Sequence, residues 1–187
     1  MFYTFFIGLD NLNSLEILDL GANRIRCMDG LQGTLSLKSL WLGKNKIERI
    51  EFIAQMGERL EQLDVQNNRL TSLGPEMLHM RQLRELLLAA NQIKAVAGLP
   101  SSQKLQTIDL SGNGLSSLTG IESCPNLEEV WMTSAAFESF DSLTPLQALS
   151  NLSCIYLEHS PLWKAPNYKA NILRMLPTLT QLDSNNI

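Results

Sequence analysis

A nine-residue phrase of leucines and one asparagine returns along the chain about every 22 residues. Its form is Leu-x-x-Leu-x-Leu-x-x-Asn, and its clearest copies occupy 15–23, 37–45, 60–68, 83–91 and 105–113. Two weaker copies begin at Leu127 and Leu152. A unit this short cannot bury its own apolar side, so copies at such a period are expected to stack on one another.

Within each copy, the Leu-x-Leu alternation predicts a short strand, and stacked copies predict a parallel sheet. The asparagine amide can bond to backbone groups of the turn and form a ladder between copies. A second apolar set, such as Ile47, Ile50 and Ile53, has the spacing of short 3₁₀ turns. The pattern predicts an α/β solenoid. It is a leucine-rich-repeat horseshoe with a parallel concave sheet, a 3₁₀ or helical convex side and a C-terminal helical cap.

We expect one domain over 1–187, with a partial repeat at 1–14, repeats at 15–160 and a cap at 161–187. Tyr3, Phe6 and Leu9 match the convex apolar positions of later copies. The array therefore starts within a unit, which predicts that earlier repeats are missing. The alternative is that the Phe-rich start serves as a makeshift cap.

In the cap, residues 167–176 predict a helix with Asn167 as N-cap, ended by Pro177. Leu179 and Leu182 are expected to close the core, with Asp183 at its rim.

The sixth copy departs from the pattern, because Ala135 stands where asparagine is expected. The ladder should break there, and Ser160 in the next copy could replace asparagine only in part. The spacing of this copy is longer, and 142–149 predicts an added short helix with Pro145 near its first turn.

The third and fifth positions of the phrase alternate with inward leucines and should point out from the concave sheet. The fifth position reads, in order, Asp19, Trp41, Asp64, Leu87, Asp109, Trp131 and Tyr156. Aromatic residues among charges on one face are typical of protein interfaces with hot spots.

Neighbouring positions make this face acidic. With the three aspartates, they give nine acids against three bases, the additional residues being Glu16, Glu61, Glu85, Glu128, Glu129 and Glu158 against Lys38, Lys44 and Arg84. Such a surface should steer a basic partner surface toward it. Ordinary solvation of an exposed sheet explains the individual carboxylates equally well, but not the tryptophans.

The net charge of -4 argues against direct binding to nucleic acid or to anionic membranes. The apolar start lacks the basic region and cleavage site of a signal peptide and is too short to span a bilayer. Cys27, Cys124 and Cys154 lack the spacing of disulfide or zinc sites. They indicate free thiols in a reducing compartment, and we expect a cytoplasmic or nuclear protein.

Catalysis finds little support in the sequence. His79 and His159 have no repeated partners for a triad or a metal site. Glu128 and Glu129 are adjacent in a strand and should point to opposite sides. No glycine-rich phosphate loop is present. We predict a protein that is not an enzyme and needs no metal or other cofactor.

Three segments carry a more specific resemblance. They are Leu40-Trp-Leu-Gly-Lys-Asn-Lys-Ile47, Glu128-Glu-Val-Trp-Met132 and the capping segment from Ile155 to Asp183. From about Leu9 onward, the chain resembles the leucine-rich-repeat regulatory subunit of protein phosphatase 1. The Leu/Asn framework alone would fit many families.

The resemblance implies a non-catalytic subunit whose concave face binds the phosphatase catalytic subunit, often together with a further inhibitor subunit. The family's contact positions that match this chain are Asp19, Trp41, Asp109, Glu129, Trp131 and Tyr156. Two alternatives stay open: a cytoskeletal or axonemal adaptor, and a spliceosomal leucine-rich-repeat protein acting with an RNA-binding partner.

Overall fold

The computed structural model describes residues 9, 12–31, 33–51, 53–100 and 102–187. Seven three-residue strands, one for each phrase, pair in parallel and in sequence order. They are β1 Ile17–Asp19, β2 Ser39–Trp41, β3 Gln62–Asp64, β4 Glu85–Leu87, β5 Thr107–Asp109, β6 Glu129–Trp131 and β7 Cys154–Tyr156. The predicted solenoid and its strand positions are confirmed. The 1–14 partial repeat lies mostly outside the described residues.

The convex side consists of loops and short 3₁₀ helices. These are Ala54–Met56, Pro75–His79, Ile121–Ser123, Phe140–Ala148 and Pro161–Lys164. The helix predicted at 142–149 is thus a 3₁₀ segment that begins two residues earlier, and Pro145 lies inside it and not in its first turn. Proline lacks the N–H that a continued α-helix requires, which favours successive 3₁₀ turns here.

The leucines of the phrases form one continuous core between the sheet and the convex segments. From the second coil onward they are almost fully buried, as in Leu37, Leu40 and Leu42. In the first coil, Leu15 and Leu18 are only partly buried.

Four asparagines form the predicted ladder. Asn68 is representative: its amide oxygen accepts from the Ile47 N–H at 2.9 Å, and its amide nitrogen donates to the Leu42 and Val65 carbonyls at 3.0 Å. Asn45, Asn91 and Asn113 repeat these bonds. Ala135 ends the ladder as predicted.

Ser160 was predicted as a partial substitute for asparagine. In the described part of the chain, its hydrogen bonds all lie within its own coil. Its hydroxyl accepts from the Trp163 N–H at 3.2 Å. A serine side chain is too short to reach the preceding coil as the asparagines do.

The cap contains the α-helix α1, Tyr168–Met175, and two short strands, β8 Gln181–Leu182 and β9 Asn185–Asn186, the last pairing antiparallel. Asn167 occupies the N-cap position, but its φ of 57° is left-handed and its side chain makes no capping bond. The predicted N-cap residue is therefore confirmed, but it does not cap the helix with its side chain.

Asp183 is buried and does not lie at the rim, which corrects a second prediction. Its carboxylate accepts from the Leu157 N–H at 2.7 Å and from the Tyr168 hydroxyl at 3.1 Å. In the preceding coils, the backbone N–H at the position equivalent to Leu157 donates to a backbone carbonyl of the next strand. The Asp183 side chain takes that place and ends the parallel ladder.

Candidate functional site

The fifth-position side chains form one continuous row across the concave sheet. The strand register places Asp19 beside Trp41, Trp41 beside Asp64, and so on to Trp131 beside Tyr156. Six strand spacings of about 4.8 Å give the row a length on the order of 29 Å. Five of the six residues predicted for partner binding lie in this row, and the sixth, Glu129, occupies the third position of the phrase, at the start of β6.

The aspartates of the row also support the fold. Asp19, Asp64 and Asp109 accept the backbone N–H two residues ahead, at 2.8, 2.8 and 2.9 Å. Such bonds stabilise the turn that follows each strand. The carboxylates are thus held in place and partly exposed, so they keep free lone pairs for a partner.

Trp41 is the centre of a shallow depression at the N-terminal part of the row. It is 41% exposed and stands between Asp19 and Asp64. The depression has a volume of about 310 Å³ and includes Gly43. A Cβ at Gly43 would lie 3.0 Å from the Asp64 Oδ2, so this depression depends on glycine.

Trp131 and Tyr156 form the aromatic pair at the other end. Their ring centroids are 6.1 Å apart and the ring planes meet at 76°, an edge-to-face contact. The Gln181 amide of the cap donates to the Tyr156 hydroxyl. The cap therefore fixes the orientation of this pair, which the sequence did not indicate.

The indole nitrogen of Trp131 is shielded from solvent and has no hydrogen-bond partner in the described part of the chain. Leaving a buried donor unpaired costs about 1–3 kcal/mol. Packing of the ring against Tyr156 offsets part of this cost.

Some charges of this face form ion pairs with the neighbouring strand, and others do not. In the second-position row, Lys38 pairs with Glu16 at 2.9 Å and Arg84 with Glu61 at 3.5 Å. These acids are locally neutralised. Apart from Glu128, which is in no ion pair among the described residues, the net acidity of the concave face therefore comes from the third, fifth and seventh positions.

At the third position, side chains of successive strands are linked. The Ser39 hydroxyl donates to the Gln62 amide oxygen at 2.7 Å, and the Gln62 amide nitrogen donates to Glu85 at 2.9 Å. Glu129 shows no such side-chain bond among the described residues and faces Cys154 in register. Of the third-position acids, Glu129 is the freer to meet a partner.

Cys154 lies on the concave sheet, at the start of β7. The spacing of the cysteines did not reveal this placement, but the third position of Cys154 in the repeat phrase could have. Burial, with added repulsion from Glu129 and Asp183, raises the pKa of its thiol to about 11. Burial also raises the pKa of the Cys124 thiol. Both are thiols at neutral pH. No group of three His, Cys, Asp or Glu side chains in the described ranges could hold a metal ion.

Comparison with known proteins agrees with this geometry. Residues 58–115 match the leucine rich repeat family, and residues 103–145 match the family of leucine rich repeats in two copies. The chain is a leucine-rich-repeat protein. A leucine-rich-repeat protein of Leptospira interrogans superimposes with a TM-score of 0.71 at 25% identity, over 91% of this chain and 49% of that one.

Two curated relatives show different contexts for such repeats. The acidic leucine-rich nuclear phosphoprotein 32 family member A of Drosophila pseudoobscura is 26% identical over 72% of this chain and 51% of its own length. The human serine/threonine-protein kinase 11-interacting protein is 28% identical over 73% of this chain and 13% of its own length. This leucine-rich-repeat chain thus spans about half or less of these relatives.

No helix in the described part of the chain has the length and apolar character needed to cross a bilayer. Burial and hydrogen bonding account for the leucines and asparagines, and turn bonds account for the aspartates of the concave row. The aromatic side chains of that row remain as the ones that the fold does not require. The protein is a leucine-rich-repeat interaction scaffold.

Proposed function

We propose that this leucine-rich-repeat protein is a non-catalytic regulatory subunit that binds the catalytic subunit of a type 1 protein Ser/Thr phosphatase in its concavity. The observation that carries the proposal is the row from Asp19 to Tyr156, in which three exposed or half-buried aromatic rings lie among fixed carboxylates. The resemblance of the segments around Trp41 and Trp131 to the phosphatase-binding family supports this choice of partner.

The row has the size and chemistry of an interface. A face on the order of 29 Å long is sufficient for a standard interface of about 800 Å² per partner. Trp41 and Trp131 lie four strands apart, about 19 Å, and provide two separate anchors. The carboxylates Asp19, Asp109 and Glu129 attract a basic partner surface and align it.

The proposal also gives the Trp131 indole N–H an acceptor. A small rotation of the ring against Tyr156 would bring the N–H to a carbonyl or carboxylate of the phosphatase. Binding would then recover the cost of the unpaired donor. Any metal involved in catalysis would belong to the phosphatase. The complex leaves room for a further inhibitor subunit. The expected location is the cytoplasm, the nucleus or both.

A pull-down tests the partner. The tagged chain should retain the purified type 1 catalytic subunit, and the variant Glu129→Ala/Trp131→Ala should retain little of it. The control Trp163→Ala removes a tryptophan that is 38% exposed and lies outside the concave row. Full retention by the Glu129→Ala/Trp131→Ala variant would refute the proposal. Retention of a motor, tubulin-like or RNA-binding protein in place of the phosphatase would favour the adaptor or spliceosomal alternatives.

A further inference from the structure

A row of basic side chains lies along the rim that follows the strands, one residue beyond the asparagine ladder. Arg24, Lys46 and Arg69 occupy this position in the first three coils. The Lys46 N–H donates to the Ile25 carbonyl and the Arg69 N–H to the Ile47 carbonyl, both at 2.8 Å. These three residues are therefore stacked in register, and because Ile25 and Ile47 are buried, the basic side chains point outward.

The row has one sign of charge throughout. Side chains one coil apart start about 5 Å from each other, and like charges at this separation repel. None of the three has an ion-pair partner among the described residues. This contrasts with the second-position row, in which the signs alternate and the charges pair.

Further basic residues surround the row, and acids are few. Arg26 and Lys94 are exposed two positions farther along the same rim, where Glu48 is also exposed. In a chain of net charge -4, this local excess of positive charge is not a consequence of composition. Self-repulsion at the rim costs stability that an anionic ligand would recover.

A groove adjoins the row. A depression of about 340 Å³ is lined by Glu48, Arg49, Arg69, Thr71 and Gln92. A second depression of about 620 Å³ shares Arg49 and Thr71 with it and continues toward Gly74. Glu51 and Glu76 also line this second depression, and Glu51 pairs with Arg49 at 3.8 Å. An acidic segment is therefore expected to stay on the rim and not to follow the second depression onto the convex surface.

We propose that the basic rim row, Arg24, Lys46 and Arg69, is a docking surface for an acidic, extended polypeptide segment. Alternate residues of an extended chain place carboxylates about 7 Å apart on one side. Three or four residues then span the roughly 10 Å from Arg24 to Arg69. The carboxylates of Asp19 and Asp64 on the adjoining sheet repel such a segment from the concavity and keep it on the rim. This surface is distinct from the proposed phosphatase site.

Fluorescence anisotropy with a labelled octaglutamate peptide at low salt tests this inference. The rim variant Arg24→Glu/Lys46→Glu/Arg69→Glu should weaken binding at least about tenfold. The control Lys164→Glu/Lys169→Glu/Arg174→Glu makes the same change of charge on exposed residues of the cap and should change the Kd less than about threefold. Octaglutamine should not bind.

Equal losses in the two triple variants, or no saturable binding by the wild type, would overturn the inference. So would an octauridine oligonucleotide that binds more tightly than octaglutamate and is released by the rim substitutions, because the rim would then be a nucleic-acid site. If the rim variant fails to fold, Arg24→Gln/Lys46→Gln/Arg69→Gln provides the same comparison.

Discussion

Trp131 meets the ring of Tyr156 edge to face, with centroids 6.1 Å apart. The two residues lie side by side on β6 and β7, and Gln181 of the cap holds the Tyr156 hydroxyl. Edge-to-face pairs contribute about 0.5–1.5 kcal/mol beyond their buried area. The Tyr156 ring is therefore held in place before any partner arrives, which lowers the entropic cost of binding there, and only the Trp131 ring needs a small rotation.

Asn68 tests the ladder that stacks the coils. Asn68→Ala should lower the free energy of unfolding by about 2–3 kcal/mol. It leaves the buried Ile47 N–H without a partner and removes one of the two amide donors to each of the Leu42 and Val65 carbonyls. Asn23 makes two bonds within its own exposed turn, so Asn23→Ala should cost less than about 1 kcal/mol. Denaturant titration measures both. Equal losses would show that the ladder does not depend on bonds between coils.

Ala90 tests the turn after each strand. The eighth phrase position has a positive φ in every coil, including 53° at Ala90 and 64° at Gly112. An alanine held in the left-handed region destabilises the folded state by about 1–2 kcal/mol. Glycine removes this strain but gives the unfolded chain more conformational entropy, which offsets part of the gain. Ala90→Gly should therefore stabilise the protein by about 0.5–1 kcal/mol.

The matched control for this change is Ala97→Gly, since Ala97 is exposed and is not among the residues of positive φ. It should destabilise the protein by about 0.5–1 kcal/mol. Thermal or denaturant unfolding of the two variants gives the comparison, and destabilisation by Ala90→Gly would contradict the account of this turn.

Asp183 should make stability depend on pH. Burial is the main cause that raises the pKa of its carboxyl above the ordinary value. The folded state therefore holds this proton more tightly than the unfolded state, and the associated stability, present at low pH, is lost as pH rises through the folded pKa. Asp183→Asn keeps an acceptor for Leu157 and removes the charge, so its stability relative to wild type should increase from pH 4 to pH 7. A constant difference across that range would be inconsistent with a buried charge.

Cys154 reports on the charge of Glu129. Burial and, after it, repulsion from Glu129 hold the thiol pKa at about 11. Glu129→Gln removes one negative charge, so it should lower the pKa of Cys154 and speed its alkylation by iodoacetamide at pH 9 severalfold. Site-resolved mass spectrometry measures the rate, with Cys124 as an internal reference. An unchanged rate would place the Glu129 carboxylate farther from the thiol than the structure does.

The sequence predicted the repeating part of the fold well, because it depends on a local pattern of leucine and asparagine. It predicted the outward row for the same reason: the parity of Trp41 and Trp131 relative to the leucines decides which way they point. It also anticipated the break of the ladder at Ala135.

The sequence failed where the pattern ends and tertiary contacts decide. The sequence predicted Asp183 as a rim residue. In the fold, its carboxylate replaces a strand carbonyl and accepts a hydrogen bond from the Tyr168 hydroxyl. The contact of Gln181 with Tyr156 joins residues 25 positions apart. The pairing of Lys38 with Glu16, which neutralises part of the acidic face, depends on side-chain conformations that spacing does not determine.

The central claim is that the concave aromatic row binds the type 1 phosphatase catalytic subunit. The most direct measurement is the Kd of that complex by calorimetry for the wild type, Trp131→Ala and Trp163→Ala, each checked for folding by circular dichroism. We predict a loss of at least about thirtyfold for Trp131→Ala, that is about 2 kcal/mol, and almost none for Trp163→Ala. Equal affinity of all three proteins, or no complex with the wild type, would contradict the account.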